Sequence, residues 1–333
     1  MGMELRTLGR TGLKVSVLGF GCGAVGGLMV RGSAADQERA VARAIDHGVN
    51  YFDTAPLYGD GASETNLGRV LATLKPNVYV GTKVNLAATE RADAGAAVVR
   101  GLEASLKRLG RDSVDLFQLH NTVSTGPGDR MVSPALVLDQ IVPALERLRR
   151  DGKTRFIGLT AVGDTAALHQ LIDAKVFDTA QVSYNLLNPS AGRAVTPSYP
   201  AQDYGQLLAH TQAAAMGVIN IRVLAGGALS ASAERHPIAS PAPAPIGSGS
   251  TYDADLARAQ RLLPLVKEGH VGSLVEASIR YVIANPAIST VLVGMATIEQ
   301  FDSHAAAIAK GPLSATALAR VTQLQDGFAG EER

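Results

Sequence analysis

Asn50-Tyr51-Phe52-Asp53-Thr54-Ala55-Pro56-Leu57-Tyr58-Gly59 is an apolar run that stops on a carboxylate and then breaks at a proline and a glycine. Residues 49–53 have the aromatic and aliphatic content of a short buried strand. Pro56 and Gly59 mark a turn, and helical spacing of apolar residues resumes over 64–74. Strand, turn and helix make one unit of a pattern that fills the chain.

Seven more apolar runs rich in β-branched residues lie at 15–20, 78–83, 114–119, 155–160, 179–184, 217–223 and 289–294. Helical patterns separate them, at 36–48, 94–109, 136–150, 166–174, 204–215, 273–284 and 298–309. Strands apolar on both faces and alternating with helices predict a buried parallel sheet. Eight such units in 333 residues predict an α/β fold, a closed (β/α)₈ TIM barrel spanning 1–333 as a single domain. A doubly wound sheet is the alternative. Residues 230–252 differ in composition, with Pro237, Pro241, Pro243 and Pro245 among alanine, serine and glycine. They predict a long loop after the seventh strand without helix or central strand, either a lid or a disordered connection.

Hydrophobic residues make up 46% of the chain and charged residues 18%, enough for a large core. The 31 basic and 30 acidic residues leave a net charge of +1, so nothing points to nucleic acid or an anionic membrane, and a small-molecule partner is expected. The lone Cys22 allows no internal disulfide and fits a reducing compartment. Without a secretion signal or a bilayer-length apolar run, the expected location is cytoplasmic. No metal site is assigned, and monomer or homo-oligomer stays open.

Gly21-Cys22-Gly23-Ala24-Val25-Gly26 matches G-x-G-x-x-G after the first strand. That fingerprint must open a helix directly, whereas Gly27, Arg31, Gly32 and Ser33 delay the helix to about residue 34. Turn glycines at the barrel mouth are the preferred reading.

Parallel strands of a barrel all end at one face, so residues closing successive strands become neighbours. Asp53, Lys83 and His120 close strands two, three and four, and Tyr58 hangs over the same mouth. Singly, these read as a helix cap, a surface charge, a backbone partner and a turn residue. Jointly they read as a proton-transfer site. A free tyrosine titrates near ~10, so a catalytic one needs a neighbour that favours the phenolate. An ammonium at roughly 4 Å is worth about 1 to 4 kcal/mol, so Lys83 is expected to lower the Tyr58 pKa, with Asp53 keeping Lys83 charged. A neutral His120 can donate a hydrogen bond to a carbonyl oxygen.

With these residues in place, the sequence resembles the aldo-keto reductase family. Similar blocks are Asp53-Thr54-Ala55-Pro56-Leu57-Tyr58-Gly59, Gly81-Thr82-Lys83, Leu119-His120, Gly152-Lys153-Thr154-Arg155-Phe156-Ile157-Gly158 and Gln181-Val182-Ser183-Tyr184-Asn185. They run in the family's order, from an opening at 8–16 to 291–295. The resemblance implies a barrel closed at its base by a short N-terminal hairpin, an extra C-terminal helix, and a tetrad of Asp53, Tyr58, Lys83 and His120. It implies NADP or NAD across the mouth, with hydride passing to or from a carbonyl carbon while Tyr58 exchanges the proton.

By the same resemblance Gln181 holds the nicotinamide carboxamide, while Thr160-Ala161 replaces the usual Ser-Asn pair and Ile221 the usual stacking aromatic. Arg222 stands where serine is usual, either as a salt bridge or as a charge near the pyrophosphate or substrate. Leu224 and Gly226 belong to the pyrophosphate segment, and Gly21, Cys22, Gly23 and Asp53 to the cofactor side of the mouth. Gly294, Met295, Ala296 and Gln300 match the adenosine end, whose stretch 294–300 has no basic residue for a 2′-phosphate, so NAD becomes credible. This segment and residues 141–146 are similar to the branch of L-galactose, L-fucose and pyridoxal dehydrogenases. The function implied is an NAD(P)-dependent oxidoreductase acting on an aldose or a similar carbonyl or alcohol. The alternatives are a nicotinamide-binding channel β-subunit with little turnover and an unrelated barrel enzyme.

Overall fold

The computed structural model describes residues 2–126 and 128–331. Its eight parallel strands are β1 (Leu18–Gly21), β2 (Tyr51–Asp53), β3 (Tyr79–Val84), β4 (Val114–Leu119), β5 (Thr154–Ala161), β6 (Thr179–Ser183), β7 (Gly217–Ile221) and β8 (Ile288–Val293). Each pairs with its sequence neighbour, and β8 returns to β1 through Val291 opposite Leu18, closing the barrel and excluding the open doubly wound sheet.

Strand residues alternate between two cores. Phe52, Phe117, Leu119 and Val218 face the helices in the larger outer core. Tyr51, Leu116, Ile219 and Leu292 face inward and meet Leu8, Leu13 and Val15. These last three come from the N-terminal segment whose strands Leu5–Thr7 and Lys14–Ser16 pair antiparallel, so the expected hairpin plugs the barrel base. Arg10 pins it by donating to the carbonyls of Lys175 (3.0 Å), Phe177 (2.9 Å) and Ala214 (2.8 Å).

The helices depart from expectation where proline intervenes. The helix predicted over 136–150 starts at Pro134, capped by Ser133, and widens over Val137–Ile141 before continuing as Val142–Arg150. Pro143 has no N–H to return to the preceding turn, and the ladder there loosens, with Val142 N–H reaching the Val137 carbonyl. The loop at 230–252 includes one short turn, Pro237–Ala239, because a proline in a first turn needs no donor. It lies against the mouth. Arg31 donates to the Ile238 carbonyl (2.6 Å), Arg222 to that of Ala244 (3.2 Å), and Asn188 to that of Gly247 (2.7 Å). Helices Tyr252–Gln260 and Pro264–Lys267 precede β8 and were not read from the sequence, whereas the extra C-terminal helix is Ala315–Asp326.

Gly81 faces inward, and a Cβ there would come within 2.5 Å of the Tyr51 hydroxyl. Gly81→Val is therefore expected to lower stability by about 1–3 kcal/mol in urea unfolding. Gly95→Ala, in a helix whose added Cβ has no neighbour nearer than 3.7 Å, should be neutral or stabilising.

Candidate active site

Residues two apart on a strand share a face, so Tyr51 and Asp53 on β2, and Gln118 and His120 on and after β4, point into the barrel together. Lys83 from β3 lies between them, fully buried. Its ammonium donates to Asp53 Oδ1, to the Thr54 carbonyl at 2.8 Å and to the Tyr58 hydroxyl at 3.3 Å. Asp53 Oδ2 accepts from Gln181 Nε2 (2.7 Å), the Tyr51 hydroxyl (2.9 Å) and Gln118 Nε2 (3.2 Å). The Tyr58 and His120 rings meet edge to face, 5.8 Å apart. The three strand-end residues and Tyr58 thus form one cluster.

Burial would strip Lys83 of its proton, but Asp53 and Tyr58 together outweigh it and hold its pKa above the ordinary value. Burial also governs Tyr58: its pKa is raised, and the opposing pull of Lys83 offsets this only in part. The expectation that Lys83 brings the phenol below its ordinary pKa is thereby corrected, because desolvation of a buried phenolate exceeds the attraction of one ammonium already shared with Asp53. His120 is driven down to about 3 by burial, with Lys83 and Arg130 adding to the effect, so the ring is neutral at pH 7. Its Nδ1 is buried without a partner among the described residues.

A cavity of about 600 Å³ opens above this cluster. Gly21, Gly23, Asp53, Tyr58, His120, Thr160, Gln181, Ile221, Arg222, Leu224, Gly226, Gly294 and Gln300 line it. Three expected cofactor residues do not. Cys22 and Met295 turn into the outer core, and Ala296 is buried, giving its N–H to Gln300 Oε1 at 2.7 Å. Gly26 is held by packing: a Cβ would lie 2.2 Å from Met295 N, and the chain forms only one helical turn, Leu28–Arg31, before the long helix Ala34–Asp46. Turn glycines therefore account for the G-x-G-x-x-G match.

Several polar groups on the cavity lining are open to a cofactor. At the tetrad end, Gln181 Oε1 is engaged among the described residues only by a long contact from Thr160 Oγ1 (3.4 Å) and is available to an amide. At the far end, beside Gln300, the buried Nδ1 of His304 has no partner among the described residues. Between them the left-handed Gly226 lets the backbone approach closely, since a Cβ there would meet Pro243 at 2.7 Å. No cluster of three or more metal-ligating side chains occurs among the described residues.

Sequence reading missed Tyr51 and Gln118, although each lies two residues before a strand-end residue and the alternation of strand faces could have found them. Arg130, His304 and Arg235 also line the cavity. They come from loops and a helix face, where periodicity carries no such signal.

The family model of the Aldo/keto reductase family matches residues 17–326. L-galactose dehydrogenase of Arabidopsis thaliana is 32% identical over 314 residues, covering 92% of this chain and 88% of its own. Pyridoxal 4-dehydrogenase of Microbacterium luteolum is 29% identical, covering 89% and 90%. An aldo-keto reductase of Bacillus halodurans superposes with a TM-score of 0.72 at 22% identity, over 99% of this chain and 98% of that one. An aldo/keto reductase of Klebsiella pneumoniae, solved with NADP and acetate, gives 0.71 at 23% identity over the same shares.

The ion pair makes the two single removals unequal. Asp53→Ala leaves a buried ammonium with neutral acceptors only and strands three donors, and is expected to cost about 3–5 kcal/mol in chemical unfolding. Lys83→Met leaves Asp53 with those donors and should cost less. Equal or reversed losses would contradict the described network.

Proposed function

The chain belongs to the aldo/keto reductase family, whose members are NAD(P)-dependent oxidoreductases, and from that premise we propose that it interconverts a small carbonyl compound and its alcohol, with Tyr58 as general acid and base. The observation that supports this best is the chain of contacts from Asp53 through Lys83 to the Tyr58 hydroxyl, beside a neutral His120 at the cavity floor. An aldose or a hydroxy-aldehyde fits the polar floor, and the names of the two dehydrogenase relatives accord with that class.

A nicotinamide cofactor supplies or takes the hydride. In the reducing direction the carbonyl oxygen lies between the Tyr58 hydroxyl and the ring N–H of His120, which orient it and stabilise developing negative charge. Tyr58 gives up its proton there, and the ammonium of Lys83 stabilises the phenolate left behind. Asp53 balances the charge of Lys83 throughout. In the oxidising direction the phenolate takes the hydroxyl proton from the alcohol.

For the cofactor, Gln181 Oε1 would accept from the carboxamide and Ile221 would lie against the nicotinamide ring. Arg222, Leu224 and Gly226 would face the pyrophosphate, with Gly21, Gly23 and Thr160 on the nearer walls and Gly294 and Gln300 at the adenosine end. That end favours NAD. The 294–300 stretch has no basic residue, and His304 beside it, pushed down to about 4 by burial, is uncharged at neutral pH. A 2′-phosphate would find no basic residue within that stretch to pair with.

Replacing Tyr58 by Phe should lower turnover at least about 100-fold while NADH binding, followed by calorimetry, stays within a few-fold of wild type and tighter than that of NADPH. Persistent turnover in that variant would exclude Tyr58 as the acid and base. Loss of cofactor binding alongside turnover would point to a structural role. A second expectation concerns pH. Because the Tyr58 pKa is raised, the protonated form persists through neutral pH, so carbonyl reduction should be level there and fall only in the alkaline range. Alcohol oxidation, which needs the phenolate, should rise over the same alkaline range.

A further inference from the structure

One wall of the cavity, beside His120, holds a cation that the fold does not use. Arg130 lines the cavity with His120, Asn85 and Thr122, and its guanidinium has no hydrogen-bond or ion-pair partner among the described residues. The other two cavity arginines are engaged. Arg222 donates to the Ala244 carbonyl, and Arg235 to the Gly226 carbonyl (2.8 Å), the Ala239 carbonyl (2.8 Å) and the Tyr252 hydroxyl (3.0 Å).

The backbone that carries Arg130 is fixed, although its side chain is free. The Arg130 carbonyl accepts from Asn121 Nδ2 and from Thr122 N, both at 3.1 Å. Asn121 is wholly buried and also bonds both backbone groups of Leu86, at 2.8 Å each. Thr122 and Val123 pair with Met131 and Val132, and Arg91 donates to the Gly128 carbonyl. Asn121 thus ties the segment after β4 to the segment after β3 and anchors the backbone of Arg130, whose side chain is exposed at the rim of the cavity. The acidic groups near the cavity leave its charge unbalanced. Asp53 is paired with Lys83, Glu234 belongs to the loop after β7, and the adjacent Asp129 is exposed and makes no ion pair with Arg130. The charge of Arg130 also reaches His120, where it opposes protonation of the ring.

We propose that Arg130 binds an anionic group, a carboxylate or a phosphate ester, carried by the same small molecule whose carbonyl oxygen meets Tyr58 and His120. The guanidinium fork matches either group with two parallel hydrogen bonds. Contact at both ends of the molecule would orient the carbonyl at the cavity floor, so the substrate class narrows to carbonyl acids or phosphorylated aldehydes and the corresponding alcohols. This rests on the oxidoreductase function proposed above.

Matched pairs test it: succinic semialdehyde against butanal, and glyceraldehyde 3-phosphate against glyceraldehyde, each assayed with NADH and with NADPH. The readout is the ratio of kcat/KM for the charged and neutral member of a pair. In the wild-type protein one pair should show a ratio of about ten or more, and which pair does so identifies the anion. Arg130→Met should lower that ratio at least tenfold, mainly through the KM of the charged member, and Arg130→Lys should restore part of it. A loss of folding or of catalytic geometry would depress both members and leave the ratio unmoved. If neutral aldehydes turn over but the wild-type ratio is near one for both pairs, or is unchanged in Arg130→Met, the anion site is wrong while the oxidoreductase function stands. If none of the four compounds turns over with either cofactor, the anion site and the small-aldehyde substrate class both fall, and the family membership stands.

Discussion

A lysine ammonium without solvent contact, held inside a barrel by one carboxylate, is the constraint on which the mouth of this protein depends. An isolated charge in that position would not survive burial, and the Asp53 carboxylate, itself supplied with three further side-chain donors, makes the ammonium tolerable. That arrangement determines the interior of the adjacent strands. Tyr51 and Gln118 are committed to Asp53, Gly81 stays small so that Tyr51 can reach it, and Gln181 gives Asp53 its amide N–H and keeps its oxygen for the cavity. A buried ammonium is costly unless its hydrogen-bonding capacity is met, and here Asp53, the Thr54 carbonyl and the Tyr58 hydroxyl meet it and tie the charge to the phenol above.

The barrel converts sequence distance into proximity. Asp53 and Lys83 lie on consecutive strands and His120 directly follows the next, and pairing of Asp53 with Gly81 and of Lys83 with Gln118 sets their heights at the mouth. The apolar outer core makes this register rigid, while the loops bring the features that differ from strand to strand: the strap at 230–252, the anchored root of Arg130, and the helix face that carries His304. The buried ion pair thus rests on the strands, while Tyr58 and the residues that vary around the cavity come from turns, loops and a helix face.

That division explains which features could be read before the fold was known. Continuous apolar runs separated by helical patterns identify a closed parallel barrel because strands buried on both faces leave a strong compositional mark, and strand-end polar residues stand out against them. The internal partners Tyr51 and Gln118 were legible by parity, two residues from Asp53 and His120. Arg130 was not, since its placement depends on Asn121 holding two loops together, a contact between residues with no periodic relation. The direction of the Tyr58 shift was misread for a similar reason. Attraction by Lys83 follows from adjacency alone, whereas the burial that outweighs it depends on the packing of the whole mouth. Cys22 and Met295 were placed on the cofactor by position in a motif, but their side chains fall on the outward face of the chain.

The coupling between the buried cation and the phenol is measured most directly by ultraviolet difference titration of Tyr58, taken as wild type minus Tyr58→Phe and repeated in the Lys83→Met background. A phenol ionising above the ordinary range near ~10 in the wild-type protein, and higher still once Lys83 is gone, is the predicted result. A Tyr58 titration that lies at the ordinary value, or that does not move when Lys83 is replaced, would contradict the central role given to the Asp53–Lys83 pair.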